Sequence, residues 1–184
     1  MSRRAYLLIA VLAIAGALGG LLAGSMLRPT PDSASARPAA KGLAIGSRRP
    51  DLNLPDLDGR THSIAQWDGQ LVLVNFWASW CPPCIEEIPL LNRTQNDLAA
   101  RGLQVIGIAE DDAPSIRAFL AQHPVGYPVL IDDPTQVPDM SQIYGDARDV
   151  LPYTVLIGRD GRILARHYGG FTQKELETWL APHL

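Results

Sequence analysis

The sequence predicts an α/β domain with a central mixed β-sheet flanked by helices. Residues 71–77 form a nearly continuous apolar run, which is typical of a strand buried on both faces. A helical pattern over residues 85–100 and a second apolar strand at 103–109 follow, and together they make a βαβ unit with parallel strands. Two later strand patterns, 150–157 and 162–168, flank a hairpin turn and add antiparallel strands to the sheet.

An additional β-hairpin is predicted before this core. Leu52, Leu54 and Leu57 alternate with polar residues, Asp58-Gly59 is a hairpin turn signal, and residues 61–64 supply the return strand. The remaining elements are predicted to be a helix from Pro114 to about His123, a strand at 127–131, one or two helical turns at 138–144, and a last helix that ends at about Ala181. Thr172 and Glu175 form a capping box at the start of this last helix.

The N-terminus carries the pattern of a membrane anchor. Arg3 and Arg4 precede an uncharged, mainly apolar stretch that is long enough to span a bilayer, so residues 1–28 are predicted to be an uncleaved transmembrane helix. Because positive charge stays in the cytoplasm, the rest of the chain should lie outside the cytoplasm. Residues 29–41 are rich in Pro, Ser and Ala and are expected to be a flexible linker, which leaves 42–184 as the folded domain.

The charge distribution argues against a nucleic-acid partner. Beyond residue 40 the chain has 12 Lys and Arg residues against 18 Asp and Glu residues, so the predicted domain is acidic. An acidic surface of this kind is usually a solubility feature.

The only two cysteines, Cys81 and Cys84, stand where the buried strand 71–77 meets the following helix. Unpaired N–H groups and the positive dipole end of a helix favour a thiolate there, which indicates a redox-active pair. Zinc binding would need about four ligands, and the four histidines lack the spacing of a zinc knuckle. A structural disulfide would close too small a loop to add much stability, and a pair of inert buried thiols is the remaining alternative.

The stretch 76–84, with Pro89 after it, resembles the active site of thioredoxin-like proteins. More narrowly, the chain resembles the membrane-anchored TlpA/ResA-type thiol-disulfide oxidoreductases over about residues 42–184. Residues 50–59 are similar to the redoxin-type hairpin that those proteins add before their core. Asn75 stands where thioredoxin has a buried aspartate, and Glu87 matches an acid that ResA-like proteins keep near their cysteines.

This resemblance implies a role for each residue of the predicted site. Cys81 should be the exposed attacking thiol, with the N–H groups of Cys84 and Ile85 as its nearest donors, and Cys84 should be buried and resolve the mixed disulfide. Glu87 is predicted to take the proton from Cys84, since Asn75 cannot titrate. Neighbouring Glu86 should be exposed and inactive, and Glu110, at the carboxyl end of a strand, is a further candidate for the proton acceptor.

Leu151 and Pro152 match the segment that carries a cis-proline opposite the cysteines in thioredoxin-like proteins. The resemblance implies that Pro152 is cis and that the backbone at Leu151 pairs with a bound substrate. Trp77 and Trp80 are both expected to be packing residues, with Trp80 also forming an apolar rim against which a partner docks. His123 and His167 are expected to be surface or loop residues, and no metal site or cofactor beyond a Cys81–Cys84 disulfide is predicted.

The predicted function is reduction of disulfides in extracytoplasmic partner proteins. Relatives of this type imply a membrane electron donor of the DsbD or CcdA kind and apocytochrome c as a substrate, although residues 145–149 replace the Gly-rich, Glu-containing loop of the cytochrome c maturation branch. Three alternatives stay open: a disulfide oxidase or isomerase, a copper-binding or copper-delivery module, and a peroxiredoxin. The last is disfavoured because Ala78 stands where a peroxiredoxin needs Thr or Ser.

Overall fold

The computed structural model describes residues 43–133, 135 and 139–184. The predicted N-terminal hairpin is present as a two-stranded antiparallel sheet, β1 (Asn53–Pro55) and β2 (Thr61–Ser63). The core is a five-stranded sheet that consists of β3 (Leu71–Trp77), β4 (Leu103–Ala109), β5 (Val129–Ile131), β6 (Tyr153–Ile157) and β7 (Ile163–Tyr168). Its spatial order is β5-β4-β3-β6-β7.

The sheet is mixed, as predicted. β3 pairs in parallel with β4, and β4 in parallel with β5, whereas β6 is antiparallel to both β3 and β7. The helices are α1 (Pro82–Leu98), α2 (Ala113–Gln122), α3 (Met140–Ile143) and α4 (Gln173–Leu180), with short 3₁₀ turns at Ile64–Trp67, Ala99–Arg101 and Ala181–His183. The predicted capping box of Thr172 and Glu175 opens α4.

Every residue of β3 is buried, because the sheet is covered on both faces. Leu71, Leu73 and Trp77 pack on one side with residues of α1 and α4. The alternate residues of β3 pack on the opposite side with aromatic residues such as Tyr144 and Tyr153. Because side chains alternate along a strand, Asn75 points to the same side as Leu73 and Trp77, toward α1.

Several predicted boundaries differ from the structure. α1 begins at Pro82 rather than Ile85, since proline fits the first helical positions, where its missing N–H costs nothing. β5 lacks the first two predicted residues. β6 begins at Tyr153 rather than Val150, because Leu151 and Pro152 form a bend and Pro152 has no N–H to give to a strand. The predicted end of α1 is confirmed by Gly102, which takes a left-handed φ of 83° after the last 3₁₀ turn.

The predicted transmembrane helix at 1–28 and the linker at 29–41 lie outside the described residues. Among the residues that the structure does describe, no helix is both long enough and apolar enough to cross a bilayer.

Candidate active site

Cys81 and Cys84 form a disulfide bond at the junction between β3 and α1. The loop that leaves β3 brings Cys81 to the N-cap position of α1, and Cys84 lies in the first turn of the helix. Both are buried, with Cys84 fully enclosed and Cys81 only 3% exposed. The prediction that Cys81 is exposed is therefore wrong for the disulfide form, in which its sulfur is bonded to a fully buried partner.

The residues around Cys81 leave few backbone donors for its sulfur. An N-cap side chain normally accepts a hydrogen bond from the N–H of the second or third helical residue. The first two helical positions are Pro82 and Pro83, which have no N–H, so the N–H of Cys84 is the one in that position. The N–H of Ile85, the second predicted donor, donates to the carbonyl oxygen of Cys81 at 3.2 Å in this disulfide form.

Glu87 is a buried acid that lies three residues after Cys84 and so on the same side of α1. Its exposed fraction is only 2%, whereas neighbouring Glu86 is exposed, as predicted. One carboxylate oxygen accepts a hydrogen bond from Asn75 Nδ2 at 2.7 Å, and the other accepts one from the N–H of Phe171 at 3.2 Å. Burial raises the pKa of Glu87 from 4.5 to about 7, although both hydrogen bonds oppose the shift.

Glu110 is surrounded by other acids. Its N–H donates to the carbonyl oxygen of Trp77 at 2.8 Å, so it lies next to the carboxyl end of β3. Oxygens of Glu110, Asp132 and Asp139 lie within 4.8 Å of one another. Burial raises the pKa of Glu110 to about 8, and the charge of Asp139 contributes to the shift. Its raised pKa is therefore accounted for by burial and neighbouring carboxylates.

The Leu151-Pro152 peptide bond is cis, as the resemblance implied. Pro152 directly precedes β6, and β6 pairs with β3 up to Phe76. Pro152 therefore lies near the carboxyl end of β3, where the loop that carries Cys81 begins. Leu151 packs against the buried cluster that contains both cysteines. The carbonyl oxygen of Pro152 accepts a hydrogen bond from the N–H of Gly169 at 2.8 Å.

Asp146 shapes the loop before Pro152 and was not identified from the sequence. Its buried carboxylate accepts hydrogen bonds from the N–H groups of Arg148 at 2.8 Å, Asp149 at 3.0 Å and Val150 at 2.9 Å. These bonds hold Asp149 at a φ of 55° and leave Val150 exposed beside Leu151. An aspartate placed shortly before an X-Pro pair was the available signal.

The two tryptophans of the motif differ in burial. Trp77 is buried at the end of β3, as predicted. Trp80 is 68% exposed, so its expected packing role is wrong, because it lies in the loop just before Cys81 rather than in the strand. An exposed tryptophan beside the disulfide is consistent with the predicted apolar rim.

His123 and His167 also differ in burial. His123 is exposed at the end of α2, as expected. His167 is not a loop residue: it lies in the edge strand β7 and is half-buried, with its ring stacked on Phe171 at a centroid distance of 3.8 Å. Its Nε2 is buried and has no hydrogen-bond partner among the described residues.

Comparisons with known proteins agree with this geometry. Residues 44–180 match the family model described as Redoxin. The chain is 32% identical over 140 residues to the thioredoxin-like protein YneN of Bacillus subtilis, covering 74% of this chain and 78% of YneN. It is 28% identical over 139 residues to the thiol-disulfide oxidoreductase ResA of Bacillus cereus, covering 75% of this chain and 78% of ResA.

Solved structures give the same result. A protein from Chlorobium tepidum assigned as the thiol:disulfide interchange protein DsbE superposes with a TM-score of 0.68 at 30% identity, covering 77% of this chain and 98% of that protein. The central mixed sheet, the flanking helices and the cysteine pair at the start of α1 are therefore those of the thioredoxin-like fold. The chain belongs to the Redoxin family, as a thiol-disulfide oxidoreductase of the TlpA/ResA type.

Proposed function

We propose that this protein reduces disulfide bonds in partner proteins outside the cytoplasm, using Cys81 and Cys84 as its dithiol. The observation that supports the proposal best is the buried carboxyl group of Glu87, one helical turn beyond Cys84. Its pKa of about 7 lets it exchange a proton near neutral pH. A purely structural disulfide would not require a buried, titratable acid one helical turn away.

The first step is attack by Cys81. In the reduced protein its sulfur occupies the N-cap of α1, where the helix dipole and the N–H of Cys84 favour the thiolate. The thiolate attacks one sulfur of a partner disulfide, which forms a mixed disulfide and releases the other partner sulfur as a thiolate.

The second step releases the partner. Glu87, as a carboxylate, takes the proton from the Cys84 thiol, and the resulting thiolate attacks the Cys81 sulfur of the mixed disulfide. The second partner sulfur leaves as a thiolate. The protein ends with the Cys81–Cys84 disulfide that the structure contains, and the partner has gained two electrons.

Partner binding is assigned to the surface around the disulfide. Trp80, directly before Cys81, offers a large exposed apolar side chain, and Val150 is exposed next to Leu151 and Pro152. We propose that the backbone at Leu151 pairs with the partner chain while Trp80 packs against it. This pairing would hold the partner sulfur in line with the Cys81–Cys84 pair.

Location and redox partners are also part of the proposal. The apolar pattern of residues 1–28 supports a single-pass inner-membrane anchor with the domain in the periplasm. The oxidised protein would then need a dithiol donor on the same side of the membrane, of the DsbD or CcdA kind. Apocytochrome c is a candidate substrate, since its haem-attachment cysteines must be reduced.

Trapping of the mixed disulfide tests the function. Cys84→Ser protein should accumulate covalent adducts with its partners, because the second step has no attacking thiol. Cys81→Ser protein should form none. Resolution should slow in Glu87→Gln protein, while the matched control Glu86→Gln should behave like the unchanged protein, because Glu86 is exposed.

The reduction potential tests the direction of the reaction. We expect a value near that of thioredoxin, about −270 mV, and a value near that of DsbA, about −120 mV, would favour the oxidase alternative.

A further inference from the structure

Both oxygens of the Glu87 carboxylate are held by donors that come from outside α1. Asn75, in the middle of β3, donates to Oε1 at 2.7 Å. The N–H of Phe171, in the segment between β7 and α4, donates to Oε2 at 3.2 Å. A carboxylate has about four lone-pair sites, so the two that remain can still receive a proton.

Asn75 is itself fixed in place. Its exposed fraction is 1%, and its Nδ2 also donates to Thr154 Oγ1 at 3.1 Å. Thr154 is fully buried and lies directly opposite Asn75 in the β3–β6 pairing. A buried chain of polar groups therefore runs from β6 through β3 to Glu87 on the covering helix.

The Phe171 donor belongs to a short segment that also contacts other parts of the site. Gly169 donates its N–H to the carbonyl oxygen of Pro152 at 2.8 Å. A side-chain carbon built on Gly170 would lie 3.4 Å from the carbonyl oxygen of Pro83 and 3.8 Å from Glu87 Oε2. The segment that carries the Phe171 N–H therefore lies against the first turn of α1 and next to Glu87.

We propose that Asn75 is a positioning residue for the proton acceptor: together with the N–H of Phe171, it clamps the Glu87 carboxylate and favours its ionised form. This inference rests on the proposed role of Glu87 in resolving the mixed disulfide. Asn75 does not titrate and does not touch the partner. It acts by keeping Glu87 a carboxylate that can accept the Cys84 proton.

An aspartate at position 75 could not act in this way. Two carboxyl groups 2.7 Å apart cannot both ionise, so the pair would share one proton and lose the separate acceptor. The amide instead donates to the carboxylate and adds no charge. This explains why position 75 carries an amide when the titratable acid, Glu87, is on the helix.

Other titratable groups near Glu87 bear on its protonation. The Glu87 charge contributes to raising the pKa of Tyr127, which precedes β5. Cys84 and Cys81 lie on the same helix and titrate in the reduced protein, and His167 of β7 stacks on Phe171. Each of these groups is left unchanged in the variants proposed below, so a changed pH midpoint reports on the clamp.

The test uses full-length reduced protein and 5,5′-dithiobis(2-nitrobenzoate), whose second thiolate is released when Cys84 resolves the mixed disulfide. The pH midpoint of this release should match the Glu87 carboxyl midpoint followed by ¹³C NMR. In Asn75→Leu protein both midpoints should rise by about one pH unit or more, because a hydrogen bond to a charged group is lost. Because the Glu87 pKa is about 7, a rise of one unit lowers the ionised fraction at pH 7 from about one half to about one tenth, so resolution at pH 7 should slow about fivefold.

Two further variants keep the test decisive if Asn75→Leu does not fold. Thr154→Val removes the acceptor that orients Asn75 and should raise both midpoints by a smaller amount. Asn75→Asp should give two coupled titrations, with the upper one above the unchanged protein's midpoint. Gln95→Met is the matched control. It removes a buried hydrogen bond between α1 and β4, in which the N–H of Val105 donates to Gln95 Oε1 at 2.6 Å, and it leaves the hydrogen bonds of Glu87 unchanged. It should leave both midpoints in place.

The outcomes separate the two proposals. If Glu87→Gln resolves mixed disulfides as fast as the unchanged protein, the proposed role of Glu87 fails. If Glu87→Gln is slow but the folded Asn75 and Thr154 variants keep the original midpoints, the clamp is overturned and the role of Glu87 stands.

Discussion

Replacing Glu87 with Gln should remove a pH-dependent loss of stability from the oxidised protein. Glu87 is 2% exposed, and burial raises its pKa from 4.5 to about 7. When folding raises the pKa of a carboxyl group, that group contributes its full stabilisation of the folded state only at pH values below the pKa that it has in the unfolded chain. That contribution is lost as the pH rises toward the folded value, because the unfolded chain ionises first.

The size of the effect follows from the two pKa values. The difference between 4.5 and about 7 corresponds to about 3 kcal/mol of unfolding free energy, lost between about pH 4.5 and pH 7. Glutamine keeps the size of the side chain and does not ionise, so this loss should be absent from Glu87→Gln protein. Glu110, whose pKa is also raised, titrates in both proteins and cancels from the comparison.

Urea unfolding of the oxidised proteins at several pH values between about 4 and 8 measures the effect. The stability of Glu87→Gln relative to the unchanged protein should increase by about 3 kcal/mol across this range. Glu86→Gln should show no such trend, since Glu86 is exposed. A difference between Glu87→Gln and the unchanged protein that stays constant with pH would refute the argument, because it would mean that Glu87 ionises with its ordinary pKa.

Three further substitutions test the surroundings of the site. Trp80→Ala should leave the unfolding free energy within about 0.5 kcal/mol, because the side chain is 68% exposed, and should raise KM for protein disulfides in a turnover assay. Asp146→Ala should destabilise the protein by about 2 kcal/mol or more in urea unfolding, because three backbone N–H groups lose their buried acceptor. Gly107→Ala should cost about 1–3 kcal/mol in the same assay, since the new methyl group would lie 2.9 Å from Nε1 of buried Trp77.

Much of the core could be predicted from local patterns. The apolar runs of β3 and β4 and the helix between them require parallel pairing, because a βαβ unit brings its second strand back in the same direction. The cysteine spacing, together with the strand before it and the helix after it, located the disulfide at the start of α1. Pro152 was predicted as cis only through the family resemblance, because its own sequence neighbourhood would suit a trans proline equally well.

The parts of the site that were missed depend on contacts between distant residues. Glu87 could be proposed as a proton acceptor, but its second hydrogen bond comes from Phe171, which is 84 residues away. Thr154 lies within the predicted strand 150–157, but its hydrogen bond to Asn75 exists only because β6 lies beside β3. The exposure of Trp80 was missed because an aromatic residue in an apolar motif resembles core.

Thiolate release from 5,5′-dithiobis(2-nitrobenzoate) tests most directly the claim that Cys81 attacks and Cys84 resolves. Reduced protein should release two thiolates, the second after Cys84 closes the disulfide, and Cys84→Ser should release one at an unchanged initial rate. Cys81→Ser should react far more slowly, because the Cys84 side chain is fully buried. Equal initial rates for the two single-cysteine proteins would contradict the account.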